Sequence, residues 1–204
     1  MKKGQLISLS ILLIISASLG YASLTSGHNW AYSDFASYIM QAKSILALDM
    51  DGFIAQNAIT ILQSDLPVGP VAYPWGYPLL PVPVVALTEL STLSMKLLNT
   101  FLFLSFLSTL YFLARKRLQH FDSLALVALF AVNPIFLISQ DSILSDIAFL
   151  FLSTFAIFFD GLLGFRCVAG QSKIFTADPD RAVDFRRIPH ADEWLAPASE
   201  LNCL

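Results

Sequence analysis

Charge is what this sequence has least of. Its 204 residues include 12 Lys and Arg and 15 Asp and Glu, 13% in all, where an ordinary soluble domain carries about 25%. Hydrophobic residues make up 56%, 17 of them Phe, and mean hydropathy is +0.66. One aqueous core cannot hide that much apolar surface, so a lipid bilayer is the expected solvent. Cysteine is nearly absent. Cys167 and Cys203 both lie near the C-terminus, which excludes a disulfide framework and a thiolate metal site. His28, His120 and His190 are scattered, none at ligand spacing from another. There is no Gly-rich phosphate loop, serine elbow or zinc motif. Basic residues are few, which argues against nucleic acid as a partner. No internal repeat, heptad or low-complexity tract is present.

The charges are also unevenly placed: 16 fall in residues 1–165 and 11 in the 39 residues from Arg166 on. The chain therefore divides into a membrane domain, 1–165, and a polar cytoplasmic tail, 166–204. The tail has too little apolar periodicity to fold alone and reads as poorly structured. Gln5 to Leu24 is a 20-residue run without charge after Lys2 and Lys3. It is long enough to span, with the N-terminus inside. The rival reading is a cleaved signal peptide with small residues Gly20 and Ala22 before the cut. Leu97 to Ala114 ends at Arg115-Lys116-Arg117 and reads as an outward-to-inward span. Ser123 to Gln140 returns, with Asn133-Pro134 as the expected kink. Ile147 to Phe165 goes back in, closed by Arg166. The expected fold class is all-α, a polytopic helical membrane protein of about four spans near 5–24, 97–114, 121–140 and 146–165. Interfacial helices fill its first outer loop.

Within that loop, Phe35, Tyr38, Ile39, Ala42, Ile45 and Leu46 recur with helical spacing. Asp34, Ser37, Gln41 and Ser44 form a polar stripe on another face. The pattern predicts an amphipathic helix over 34–47 lying along the membrane, with Asp49-Met50-Asp51-Gly52 as the turn that ends it. Leu66 to Thr88 is uncharged but carries Pro67, Pro70, Pro74, Pro78, Pro81 and Pro83. Prolines remove backbone donors, so 66–95 is expected to be irregular and interfacial, with Tyr73, Trp75 and Tyr77 at headgroup depth.

The order of these parts carries a resemblance: an apolar first segment, an amphipathic segment opening on Asp34, then Tyr73-Pro74-Trp75-Gly76-Tyr77-Pro78, then three hydrophobic segments. It resembles the N-terminal part of membrane glycosyltransferases of the GT-C type, the group that includes dolichyl-phosphate-mannose-like and aminoarabinose-like transferases, over roughly residues 3–160. The resemblance implies a multi-pass protein of a bacterial or archaeal cell membrane that takes a sugar from a lipid-linked donor. It implies that Asp34 is the general base in the first outer loop, and that Asp146, leading into the last span, holds acceptor or metal. It implies substrate contacts from Tyr38, Tyr73, Trp75, Tyr77 and Asp141. The residues alone also allow Asp34 to be a helix-start aspartate and Asp141 and Asp146 to be helix-end markers. Asp49-Met50-Asp51 is similar to the acidic pair with which soluble nucleotide-sugar transferases hold a cation, or is simply a turn. These acids fix no cofactor. Oxygen ligands would suit a divalent cation such as magnesium or manganese. Lys43 is placed to meet a lipid phosphate or to snorkel.

Enzymes of this type continue through more spans. The chain is therefore expected to be truncated, or out of frame near residue 165, and inactive alone. Two other functions fit the composition: a non-enzymatic small membrane subunit and a transporter fragment. A transporter more often shows broken helices and internal symmetry at mid-membrane, whereas the acids here sit at span edges.

Overall fold

The computed structural model describes residues 3–27, 34–63 and 70–171. The polar tail beyond 171, with Cys203 and His190, lies outside the described residues, as do His28 and Pro67. Contacts divide the chain into a unit ending at Leu163 and a second beginning at Gly164. The first unit holds the helix packing that positions the site.

The first helix, α1, is Lys3–Ser23. Its 21 residues rise about 32 Å, enough to cross a hydrocarbon core of about 30 Å. Only Leu9, Ser16 and Gly20 are buried, whereas Ile7, Ile11 and Ile14 are more than half exposed. Ser8 and Ser18 donate to the carbonyls of Gly4 and Ile14 in the preceding turn, so their hydroxyls stay satisfied without water.

The central element is α6, Thr92–Ala114, capped by Ser91, whose side chain accepts from the Ser94 amide. It touches α1, the short helix α5 (Val82–Thr88), α7 (His120–Ala131) and α8 (Pro134–Gln140). It buries Met95, Phe103, Leu107 and Tyr111 among them. Both α1 and α6 are long and apolar enough to cross a membrane.

The α7–α8 pair forms a third such segment if taken as one span bent by 57°. The bend has a local cause. Pro134 has no amide to give, and the Ile135 amide bonds to the Asn133 side chain at 2.9 Å instead of continuing the α7 ladder. That frees the Ala131 carbonyl, which accepts from Ser16 Oγ of α1 at 3.4 Å. A neighbouring hydroxyl repairing a proline break is how membrane helices tolerate one. Phe103, Phe106, Phe130 and Phe136 pack the bend, with ring centroids 5.4–6.0 Å apart. Gly20 faces Gln140 so closely that any Cβ there would overlap the amide.

The described residues between α1 and α6 are more ordered than the prolines there suggest. After α2 (Asp34–Ala47), a further helix, α3 (Met50–Leu62), follows directly. Asp49 does not simply end α2: its carboxylate accepts from the Gly52 amide at 3.1 Å and caps α3. The stretch 66–95, expected to be irregular, holds two short helices within 76–88, α4 (Gly76–Leu79) and α5. Pro78 and Pro83 fall in first turns, where the missing amide has no partner to lose. Helix α6 begins at Thr92, five residues before the expected 97. The last helix among the described residues, α9, runs Ser145–Gln171, past the expected stop at Arg166.

Candidate functional site

Helix α2 opens on Asp34, an acid that complements the exposed amides of a first turn. It ends at Leu48, whose φ of 56° stops the helix. The buried face is Phe35, Tyr38, Ile39, Gln41 and Ala42. At 100° per residue, positions 34, 38 and 41 fall within about 60° of one another. Together they hold Tyr73 along its whole length. Gln41 is fully buried, its Nε2 donating to the Tyr73 carbonyl at 2.8 Å and its Oε1 accepting from the Tyr73 amide at 3.0 Å. The Tyr38 ring lies against the Tyr73 ring, centroids 4.5 Å apart. The Tyr73 hydroxyl bonds to the Asp34 carboxylate.

Tyr77 completes the cluster. Its ring meets Tyr38 edge-on at 4.8 Å and its hydroxyl donates to Asn99 Oδ1 at 3.5 Å. Tyr38 and Tyr77 are both buried, and the Tyr38 hydroxyl lies 3.4 Å from Ser145 Oγ at the start of α9. Between them opens a cavity of about 330 Å³, lined among others by Tyr38, Tyr77, Ser145, Asp146, Phe149 and Leu152. Asp146 and Phe149 also edge a second cavity of about 150 Å³.

Burial and then the Asp34 carboxylate push the Tyr73 hydroxyl up to about 12. Burial first, then Tyr38 and Asp146, raise that of Tyr77, against the opposing bond to Asn99. Both phenols therefore keep their protons at neutral pH and act as donors. Tyr73 thus gives a hydrogen bond to Asp34.

Of the residues singled out in the sequence, Asp34, Tyr38, Tyr73, Tyr77 and Asp146 gather around this cluster. Trp75 is half exposed as the residue before α4, beside the cavity-lining Pro74 and Gly76. Asp141 goes elsewhere. It pairs with Lys96 at 2.7 Å, and its two oxygens accept from the Thr25 amide and hydroxyl at 2.7 and 2.8 Å. Burial would raise its pKa, but the Lys96 bond, the two Thr25 bonds and the Lys96 charge together hold it below the ordinary 3.8. Gln41, expected on a polar stripe, is instead fully buried as a clamp on backbone. Lys43 is exposed.

A divalent cation finds no ready cage: among the described residues no three His, Cys, Asp or Glu side chains come together. Asp49 caps α3, and Asp141 is engaged by Lys96 and Thr25. Two buried polar residues that bond into these contacts escape sequence reasoning. Asn99 carries no signal. Lys96 does, as the one charge in the apolar stretch from Leu90 to Ala114, since an ionisable residue within such a stretch marks a partner or a site. No family model, curated protein or solved structure matches this chain.

Proposed function

We propose that this chain is the N-terminal part of an integral-membrane glycosyltransferase of the GT-C type. It transfers a sugar from a polyprenyl-phosphate donor to an acceptor hydroxyl at the outer face. In this reading α1, α6, the α7–α8 pair and α9 are four spans, crossing outward, inward, outward and inward, with the Arg115-Lys116-Arg117 corner in the cytoplasm. The meeting of the end of α1, the start of α6 and the end of α8 at Thr25, Lys96 and Asp141 supports these alternating directions.

One observation carries the chemistry. Carboxylates from two separate outer segments border the same tyrosine cluster: Asp34 through Tyr73, and Asp146 at the cavity beside Tyr77. Sugar transfer needs a base within hydrogen-bond reach of the acceptor hydroxyl. Asp34 takes that proton, the acceptor oxygen bonds to the anomeric carbon from the face opposite the leaving group, and the bond to the lipid phosphate oxygen breaks. Tyr73 occupies part of the Asp34 carboxylate, orienting it while lone pairs remain for the acceptor. Asp146 orients substrate at the cavity. The apolar wall of Phe149 and Leu152 suits a lipid tail.

In any form of this chain that transfers sugar, Asp34→Asn lowers turnover by about 10²–10⁴-fold while membrane insertion is unchanged, because asparagine keeps size and polarity but accepts no proton. Full turnover in that variant reduces Asp34 to a helix-start residue.

A further inference from the structure

The head of α6 presents two fully buried polar side chains one turn apart, Lys96 and Asn99. An ammonium has three protons to give, and four acceptors surround that of Lys96. These are the Thr25 carbonyl at 3.0 Å, Thr25 Oγ1 at 2.9 Å, the Gly27 carbonyl and Asp141 Oδ1 at 2.7 Å. Asn99 donates to the carbonyl of Ser142, the next residue, and accepts from Tyr77. One helix face therefore grips two consecutive residues of the turn between α8 and α9, and by the same amide holds the tyrosine on the opposite wall of the cavity. Beyond the grip the turn is short: Leu144 bonds back to Ser142 at 3.0 Å, Ile143 is fully buried, and Ser145 meets Tyr38.

Stability alone does not account for this arrangement. The Lys96 ammonium is fully buried and Asp141 partly so, and an ion pair whose charges lose water generally gives no more stability than apolar side chains of the same volume. What it supplies is a single geometry. We propose that the Lys96–Asn99 face of α6, with Thr25 and Asp141, is a positioning clamp that seats the turn carrying Ser145 and Asp146 against the tyrosine-lined cavity. Lys96 and Asp141 are positioning residues and touch no substrate. The use made of Asp146 rests on the function proposed above, whereas the clamp does not.

The test separates holding the fold from setting the turn. The full chain in lipid nanodiscs carries 3-fluorotyrosine at position 38, whose ¹⁹F resonance reports the contact with Ser145. Lys96→Met leaves the partly buried Asp141 carboxylate without its counter-ion, held by Thr25 alone, and lowers the melting temperature by about 5 °C. Adding Asp141→Leu removes the stranded charge and recovers most of that loss. The proposal expects the Tyr38 resonance to stay displaced in this double variant, and photolabelling by a diazirine-bearing polyprenyl phosphate to fall about ten-fold. Return of both melting temperature and resonance to the native values overturns it, since the pair then only holds the helices together. Should the charge variants not insert, Thr25→Val carries the test without altering charge: a displaced Tyr38 resonance at near-native melting supports the clamp, and an unmoved one overturns it. A displaced resonance with no saturable labelling in any form, native included, upholds the clamp and removes the glycosyltransferase reading.

Discussion

Replacing Gln41 by Leu isolates one of the three contacts that hold Tyr73 to α2. The side chain is fully buried and makes two hydrogen bonds of 2.8 and 3.0 Å to the backbone of Tyr73. Each neutral bond contributes about 1 kcal/mol net, and a partner left unpaired costs about 1–3 kcal/mol. Tyr73 is only partly buried, so water can reach its freed groups, and leucine returns some apolar burial. The net loss is about 2 kcal/mol. For a chain of this size that lowers the melting temperature by about 4–8 °C. The local effect is sharper. The Tyr73 amide is protected by the Gln41 carbonyl oxygen alone among the bonds described for it, so its opening is favoured about 30-fold at about 1.36 kcal/mol per decade. Hydrogen exchange followed by mass spectrometry reads this directly. The peptide containing Tyr73 exchanges faster while those from α6 do not. Unchanged exchange at Tyr73 refutes the clamp on its backbone.

Two other outcomes follow from the geometry. Gly20→Leu places a side chain where Gln140 packs and costs about 1–3 kcal/mol by overpacking. Gly20→Leu with Gln140→Ala recovers part of that in thermal unfolding, and no recovery argues against this α1–α8 contact. Asp141 has its pKa lowered in the folded state, so its contribution is present above the ordinary value of 3.8 and is lost as pH falls through the lower folded value. Melting temperature should therefore not vary on its account from about pH 7 to about 5 and should drop only below about 4. Asp141→Asn removes that acid arm, and an identical arm in the variant assigns it to another group.

Much of the helical plan is legible because it rests on local rules. The i, i+3, i+4 recurrence around Phe35 marks α2 from Asp34 to Ala47. Asn133-Pro134 marks the bend because a proline amide is missing whatever surrounds it. The failures are tertiary. Gln41 looks like a surface residue until Tyr73 comes back across the helix to be held by it. Asp49 reads as a turn or a metal ligand because a capping carboxylate and a turn carboxylate look alike in one dimension. Helix α3 leaves no legible pattern: Phe53 is buried while Ile54, Ile59 and Leu62 are exposed, so apolar residues lie on both faces and no stripe stands out. Prolines 78, 81 and 83 look like breakers in one dimension, though a first helical turn accommodates one. For the site, the acids and tyrosines can be named from order along the chain. Separating Asp146 at the cavity from Asp141 in an ion pair needs the position of Lys96.

Under the proposed function, the cavity bordered by Tyr38, Tyr77 and Asp146 receives a lipid-linked sugar. The most direct measurement is photolabelling of the chain in nanodiscs with a diazirine-bearing polyprenyl-phosphate sugar, followed by mapping of the labelled residues. Saturable labelling at Phe149 and Leu152 of α9, displaced by unlabelled donor and lost in Leu152→Trp, is the expected result. Unsaturable labelling spread over the lipid-facing residues of α1 and α6, unchanged by competitor or by Leu152→Trp, contradicts it.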